Sequence, residues 1–317
     1  MTCVIRIALL VSLLCTLFAF GQNSKEGLTS DSSQTQNRTL RVDVDLVLVN
    51  VSVTDSSHRQ VPGLSKEHFQ IWEDKIEQQV QYFSAEDVPL SAGIIFDISG
   101  SMREKLPAAR AAASTFLRMG APDDEFLLIE FSNSPQVEQN FTRDITKLQS
   151  RLLFTQASGR TSLYDALYLG MEKIRRGSNS RKVLLLITDG EDNHSRYSLA
   201  DVKDLAREYD VQVYAIGIQD ELNLQSSGYI ARAVLSDLAN LTGGRAFFPS
   251  SVDNLESICK QIGIELKNQY VLGYRPLNQS TDGKWRKIRV KINRSPGMPR
   301  LSVRSKTGYY ATRTAMK

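Results

Sequence analysis

The feature that most constrains this chain is a series of short apolar segments, each followed by a helix-patterned one, across residues 89–266. Residues 183–187 read VLLLI, with no polar position to mark an outward face. A strand with one wet face alternates, whereas one covered on both faces is apolar throughout. Strands are expected over residues 92–96, 126–131, 183–187, 211–218 and 245–248, and helices over 103–119, 163–174, 199–209, 230–241 and 252–266. Pro107 is compatible with the first helix because it falls near the first turn, where a backbone N–H has no partner to lose. Such alternation covers both sides of its sheet only if helices wind over both. The expected fold is therefore α/β, with a doubly wound, mostly parallel sheet. A composition of 41% hydrophobic and 23% charged residues over 317 positions excludes wholesale disorder, and the length suits roughly two domains.

The flanks read differently. Residues 1–21, MTCVIRIALLVSLLCTLFAFG, carry one charge, Arg6, ahead of an apolar run from Ile7 to Phe20. Ala19 and Gly21 are small residues at the spacing a signal peptidase accepts. The run is short of the ~20 apolar residues of a membrane span, so a secretory signal peptide cleaved before Gln22 is expected. Residues 22–39 are polar and rich in Ser, Thr, Gln and Asn, as in a flexible leader.

From Leu40 a β pattern begins, with Val and Leu at both parities up to Val53, a turn at Asp55-Ser56-Ser57 and a capped helical turn at Ser65. Phe69 and Ile71, then Val80 and Tyr82, belong to strands flanking Glu73-Asp74-Lys75. After Lys267 the helical pattern stops. YVLGY at 270–274, then Ile288, Val290 and Ile292 opposite Lys287, Arg289 and Lys291, then Leu301, Val303 and Gly308-Tyr309-Tyr310, read as strands. Neither flank alone has enough strands to cover an apolar face. Residues 40–85 and 268–317 are thus expected to pack as one small β domain beside an α/β domain at 86–267.

Lys and Arg total 39 and Asp and Glu 35, a net charge of +4 too small and too spread to point to nucleic acid. Of three cysteines, Cys3 and Cys15 fall in the signal segment, which rules out a disulfide framework. Cys259, on an apolar helix, reads as a small buried hydrophobe. The basic run around Lys284, Arg286, Lys287, Arg289, Lys291 and Arg294 reads as a charged solvent face that discourages edge pairing, with contact to an anionic envelope polymer as the alternative.

Chemistry concentrates at Asp97-Ile98-Ser99-Gly100-Ser101, directly after the strand Gly93-Ile94-Ile95-Phe96. In an open α/β sheet, ligands bind at the carboxyl ends of strands. One carboxylate and two hydroxyls at two-residue spacing offer hard oxygen donors of the kind Mg²⁺ takes, and Gly100 permits the tight turn between them. Two further loops offer the same chemistry: Ser158-Gly159-Arg160-Thr161-Ser162 with Thr161, and Thr188-Asp189-Gly190 with Asp189. An Asx turn capping the next helix is the competing explanation for Asp97, Ser99 and Ser101. Glu191 and Asp192, beside Asp189, read as solvated loop carboxylates, and His194 as an exposed loop residue without the partners zinc needs.

With these residues in order, the sequence resembles a von Willebrand factor type A domain over about residues 89–266, and the set resembles that family's metal ion-dependent adhesion site. The flanks, from about Val42 to Ala311, are similar to secreted bacterial proteins related to that family. The resemblance implies that Ser99, Ser101 and Thr161 contact a Mg²⁺ or Mn²⁺ ion directly, with Asp97 and Asp189 acting mostly through water. It also implies that a partner protein's Asp or Glu completes the coordination. Arg160, directly before Thr161, departs from the small or neutral residue common there. The expected function is an exported, metal-dependent, adhesion-type protein-binding module, not an enzyme, secreted or periplasmic and associated with the envelope. The alternatives are a structural envelope protein with a vestigial site and, last, a metal-dependent hydrolase, which lacks a Ser–His pair or paired acid and base near the motif.

Overall fold

A computed structural model gives the fold and describes residues 46–190, 192–218, 226–293 and 297–311. The expected signal peptide and leader lie outside the described residues. Elements run in the order β1 (Val47–Thr54), β2 (Phe69–Glu73), β3 (Ile76–Gln78), β4 (Val80–Ser84), β5 (Leu90–Asp97), α1 (Leu106–Arg118), β6 (Glu125–Phe131), β7 (Pro135–Thr142), α2 (Ile145–Phe154) and α3 (Leu163–Ile174). They continue with β8 (Arg181–Thr188), α4 (Leu199–Glu208), β9 (Val211–Gly217), α5 (Ser226–Thr242), β10 (Ala246–Phe247), α6 (Leu255–Lys267), β11 (Tyr270–Tyr274), β12 (Trp285–Ile292), β13 (Ser302–Arg304) and β14 (Gly308–Tyr310).

Six strands form the central sheet in the order β10-β9-β8-β5-β6-β7, parallel except for the antiparallel edge strand β7. Every residue of β5 and β9 is buried, as their mostly apolar, non-alternating character predicts, with Ser91, Asp97 and Gln212 buried among them. Alternate residues face opposite layers. Ile94, Phe96, Leu185, Ile187 and Tyr214 pack with α1, α2 and α6, whereas Ile95, Leu184, Leu186 and Val213 pack with α3, α4 and α5. Each such large apolar side chain contributes about 1.5–3 kcal/mol relative to exposure. Chain order runs outward from β5 through β6 to β7, then returns to β8 and continues through β9 to β10 on the other side. The carboxyl ends of β5 and β8 therefore flank a topological switch point, where doubly wound sheets open a crevice.

The flanks build two further antiparallel sheets, β13-β1-β11-β4 and β14-β12-β2-β3. Each interleaves N-terminal with C-terminal strands: β11 lies between β1 and β4, and β12 between β14 and β2. Val49, Val51, Leu272 and Tyr274 from one sheet and Phe69, Ile71, Ile288 and Val290 from the other share one core.

The structure departs from expectation in several places. The first helix starts at Leu106, not at 103, because a 3₁₀ turn at Gly100–Met102 intervenes, anchored by the fully buried Met102. Likewise a 3₁₀ turn at Val252–Asn254 precedes α6. Strand β7 and helix α2 carry no expectation from the sequence at all. Arg286 does not belong to the exposed basic face: it is buried and paired with Asp282 at 2.9 Å. Among the described residues no helix is long and apolar enough to cross a membrane.

Candidate metal centre

Asp97 ends β5 and is fully buried. Its Oδ1 accepts from the Ser99 amide at 2.8 Å, an Asx turn, and its Oδ2 accepts from the Thr188 hydroxyl at 2.6 Å. The second bond joins the ends of β5 and β8. The Asx turn is therefore present, but no side chain caps the 3₁₀ turn or α1 that follows, and the same carboxylate also bridges two strands. Ser99 is buried and Ser101 exposed, and their hydroxyl oxygens lie 3.1 Å apart. Gly190 donates its amide to Thr188 Oγ1 at 3.0 Å, which holds the turn after Asp189.

The loop carrying Thr161 is stitched to this turn by backbone bonds. Gly100 donates to the Gly159 carbonyl at 3.0 Å, and Ser158 donates to the Ile98 carbonyl at 2.8 Å. Gly159 sits at φ +83°, a conformation that disfavours any side chain. Buried Thr161 gives its amide to Asn193 Oδ1 at 3.0 Å and accepts at its carbonyl from the amides of Asn193 and His194. Arg160 is exposed, with its amide held by Asn133 Oδ1 at 2.8 Å. Asn133 and Asn193 are site-supporting residues that the sequence reading missed, since each acts on a loop far away in the chain.

Asp192 is not a solvated carboxylate. It accepts from the Ser195 hydroxyl at 2.5 Å, and Ser195 Oγ in turn accepts from the amides of Tyr164 and Asp165 at 3.0 and 3.1 Å. The 192–195 loop thereby satisfies amides in the first turn of α3, which its own N-cap, Ser162, leaves without a side-chain acceptor. Glu191 lies outside the described residues, and His194 is exposed.

Charge at this rim is unbalanced. Burial, and then the charge of Asp189, push the Asp97 carboxyl up to about 6. Asp189 is largely buried: its Oδ2 lies 3.7 Å from the Lys105 ammonium, while its Oδ1 is buried without a hydrogen-bond partner. An orphaned carboxylate oxygen costs free energy that a cation would recover. Among the described residues no group of three His, Cys, Asp or Glu side chains is placed to hold a metal. The donors of this rim are instead two carboxylates and a set of hydroxyls, a hard-oxygen combination that fits Mg²⁺ or Mn²⁺.

Away from the rim, a cleft of about 780 Å³ between β12, residues 300–307 and Gly243-Gly244 is lined by Arg289, Lys291, Arg300, Arg304 and Lys306. Arg304 pairs with Glu265 at 2.6 Å and Lys306 with Asp210 at 3.0 Å, so much of its charge serves the fold. Cys259 is buried, as expected, and burial pushes its thiol up to about 12, which leaves it inert.

Compared with known proteins, residues 93–261 match the model of the von Willebrand factor type A domain. A stretch of 128 residues, 35% of this chain, is 31% identical to inter alpha-trypsin inhibitor heavy chain 4 of Mus musculus and spans 14% of that protein. Among solved structures, BatB from Bacteroides thetaiotaomicron matches at 16% identity over 56% of this chain and 99% of its own, with a TM-score of 0.46. The vWF domain of the type V pili tip protein Mfa5 from Porphyromonas gingivalis matches at 13% identity over 57% of this chain and 97% of its own, also at 0.46.

Proposed function

The chain belongs to the von Willebrand factor type A domain family, and from that premise we propose that it is an exported, adhesion-type protein-binding module whose rim works through a bound Mg²⁺ or Mn²⁺ ion. The observation that carries this reading is the buried, unpartnered Oδ1 of Asp189 on the loop beside the Asp97 bridge. Ser99, Ser101 and Thr161 would hold the ion through their hydroxyls, with Asp97 and Asp189 acting mostly through water. Bound there, such an ion supplies a strong electrophilic position for a hard anionic ligand. A partner's Asp or Glu carboxylate has that chemistry.

The chain's own residues prepare the site. The Asp97–Thr188 bond keeps the two strand ends at fixed separation, and the Gly100–Gly159 bond holds the Ser99–Ser101 turn against the Thr161 loop. Domains of this family are mostly interaction modules without catalytic activity, which supports a binder over a hydrolase. The apolar leader with its small-residue cleavage pattern supports secretion or a periplasmic location, with envelope association.

Calorimetry of the mature protein tests the ion. Mg²⁺ and Mn²⁺ are expected to bind with low-micromolar to millimolar Kd, the range of hydrated oxygen sites, and capture of envelope proteins is expected to vanish in EDTA, to return with either ion and to fail in Thr161→Ala. Capture indifferent to chelator and to that substitution would move the interface elsewhere, first to the β unit.

A further inference from the structure

Lys105 carries no motif in the sequence, yet its side chain ends at the rim. Its backbone is the joint between the 3₁₀ turn that holds Ser101 and helix α1: its amide donates to the Met102 carbonyl and its carbonyl accepts from Ala109, both at 3.0 Å. It occupies the N-cap position of α1. That is an unfavourable place for a cation, because the amide end of a helix carries partial positive charge and prefers Ser, Thr, Asp or Asn. The side chain is also nearly buried, 11% exposed, against an Asp189 side chain that is 10% exposed, and the two groups lie 3.7 Å apart. Local propensity and desolvation both oppose a lysine here. What compensates is on the other loops: the Asp189 carboxylate, with the fully buried Asp97 beyond it.

Asp189 therefore divides its oxygens. Oδ2 faces the ammonium, and Oδ1 is left over. A divalent ion drawn to Oδ1 meets a like charge at the other oxygen of the same carboxylate. We infer that Lys105 is a resident counter-cation of the rim, which balances Asp189 while no divalent ion is bound and weakens the ion's binding by competing for the same carboxylate. This rests on the metal-site reading above for its second half only; the first half concerns the ion-free protein. Like charges within several ångströms at a partly buried site oppose one another by one to two decades in affinity, so the effect is large enough to read. The consequence for function is an ion held loosely by the chain alone and tightened when a partner's carboxylate adds negative charge.

The test compares the full mature chain with Lys105→Met, which keeps the length and helix propensity without the charge, and Lys105→Arg, which keeps the charge. Mg²⁺ and Mn²⁺ affinity is measured by calorimetry and melting temperature in EDTA and in saturating Mg²⁺. Lys105→Met is expected to bind Mg²⁺ about ten- to a hundred-fold more tightly, to melt lower in EDTA, and to recover that loss in saturating Mg²⁺. Lys105→Arg should follow the parent protein. If the parent binds Mg²⁺ and Lys105→Met binds it equally or less tightly, the competition is refuted. If neither binds any ion, the metal-site reading fails by itself, and melting in EDTA still decides the counter-cation: a lower value for Lys105→Met alone upholds it, equal values refute it. Should Lys105→Met fail to fold, combining it with Asp189→Asn is expected to restore folding, because the uncompensated carboxylate is removed with its partner. Failure of that rescue would make Lys105 a packing residue and overturn the proposal.

Discussion

The two ends of the central sheet solve the same problem in opposite ways. At the amino end of β8, buried Arg181 donates to the carbonyls of Val88 and Leu266 at 3.0 and 2.8 Å and to Gln269 Oε1 at 2.8 Å. Gln269 passes its amide on to Ser52 of β1 and to Tyr214, and Tyr214 donates to Glu265, which also meets Arg304 of β13. Cations, carboxylate and neutral groups alternate along this path and tie the α/β unit to the β unit. At the carboxyl end, the charge of Asp189 adds to the cost of burying Asp97, and Lys105 is the nearly buried cation facing Asp189. Both ends are polar and largely buried. Each end also leaves one carboxylate oxygen buried without a hydrogen-bond partner, Glu265 Oε2 below and Asp189 Oδ1 above. The difference is in the balance of charge: below, the single carboxylate of Glu265 meets Arg304 at 2.6 Å in a network that also holds Arg181, whereas above, two carboxylates share a rim with Lys105, 3.7 Å from Asp189. Neither burying polar groups nor one orphaned oxygen is thus a sign of a site by itself; an excess of buried carboxylates over cations is.

That contrast can be broken first at the lower end. Arg181→Met removes one donor group and strands three acceptors, so urea denaturation should show a loss of about 3 kcal/mol or more. A loss under about 1 kcal/mol would mean that the lower network is no better matched than the rim. Asp97→Asn should act in the other direction. In chelator at neutral pH it should raise stability by about 1–2 kcal/mol, because it removes a buried charge beside Asp189, while abolishing Mg²⁺ binding. The sign follows from the raised carboxyl. Between its ordinary value and about 6 the folded protein holds a proton that the unfolded chain has released, so ion-free stability falls as pH rises through that window. A parent protein whose ion-free stability climbs across pH 4–6 would contradict a strained Asp97. The smallest effect belongs to the loop supports: Asn193→Ala withdraws the acceptor from the Thr161 amide, should cost about 1 kcal/mol, and should weaken Mg²⁺ binding by loosening Thr161. Calorimetry on that variant separates a positioning role from a purely structural one.

The sequence made some of this legible and not the rest, for reasons that differ by region. β8 and β9 were readable because strands covered on both faces carry apolar runs without alternation, Val183–Ile187 in one and Val213–Ile216 in the other. The interleaving of the flanks was readable as a shortage of strands on either side. β7 was not, since it is an edge strand with no fully buried residue, and Pro135, Gln136 and Gln139 give it no apolar stripe. Helix α2 did leave a trace: Asp144 caps it, with Oδ1 accepting from the Lys147 amide at 3.1 Å, and Leu148 and Leu152 stand four apart on its buried side. At the rim, the oxygen donors follow strand ends and could be listed in order. Lys105, Asn133 and Asn193 act across loops brought together only by the winding of the sheet, and no local spacing marks them.

The interleaved β unit also dictates an order of assembly. Ser52 and Gln269, hydrogen-bonded across the junction, are 217 residues apart in the chain. For an unfolded chain, closing so long a loop costs entropy that no single strand pairing recovers. Once the α/β unit between them has folded, its entry and exit run to β4 and β11, which pair directly, and the effective loop shrinks to the few residues at either connection. The cheapest route therefore completes the α/β unit first and zips the flanking sheets afterwards. The β unit then acts as a clasp that closes only over a finished domain, so that flanking strands protected from a protease would mark chains whose rim is already built.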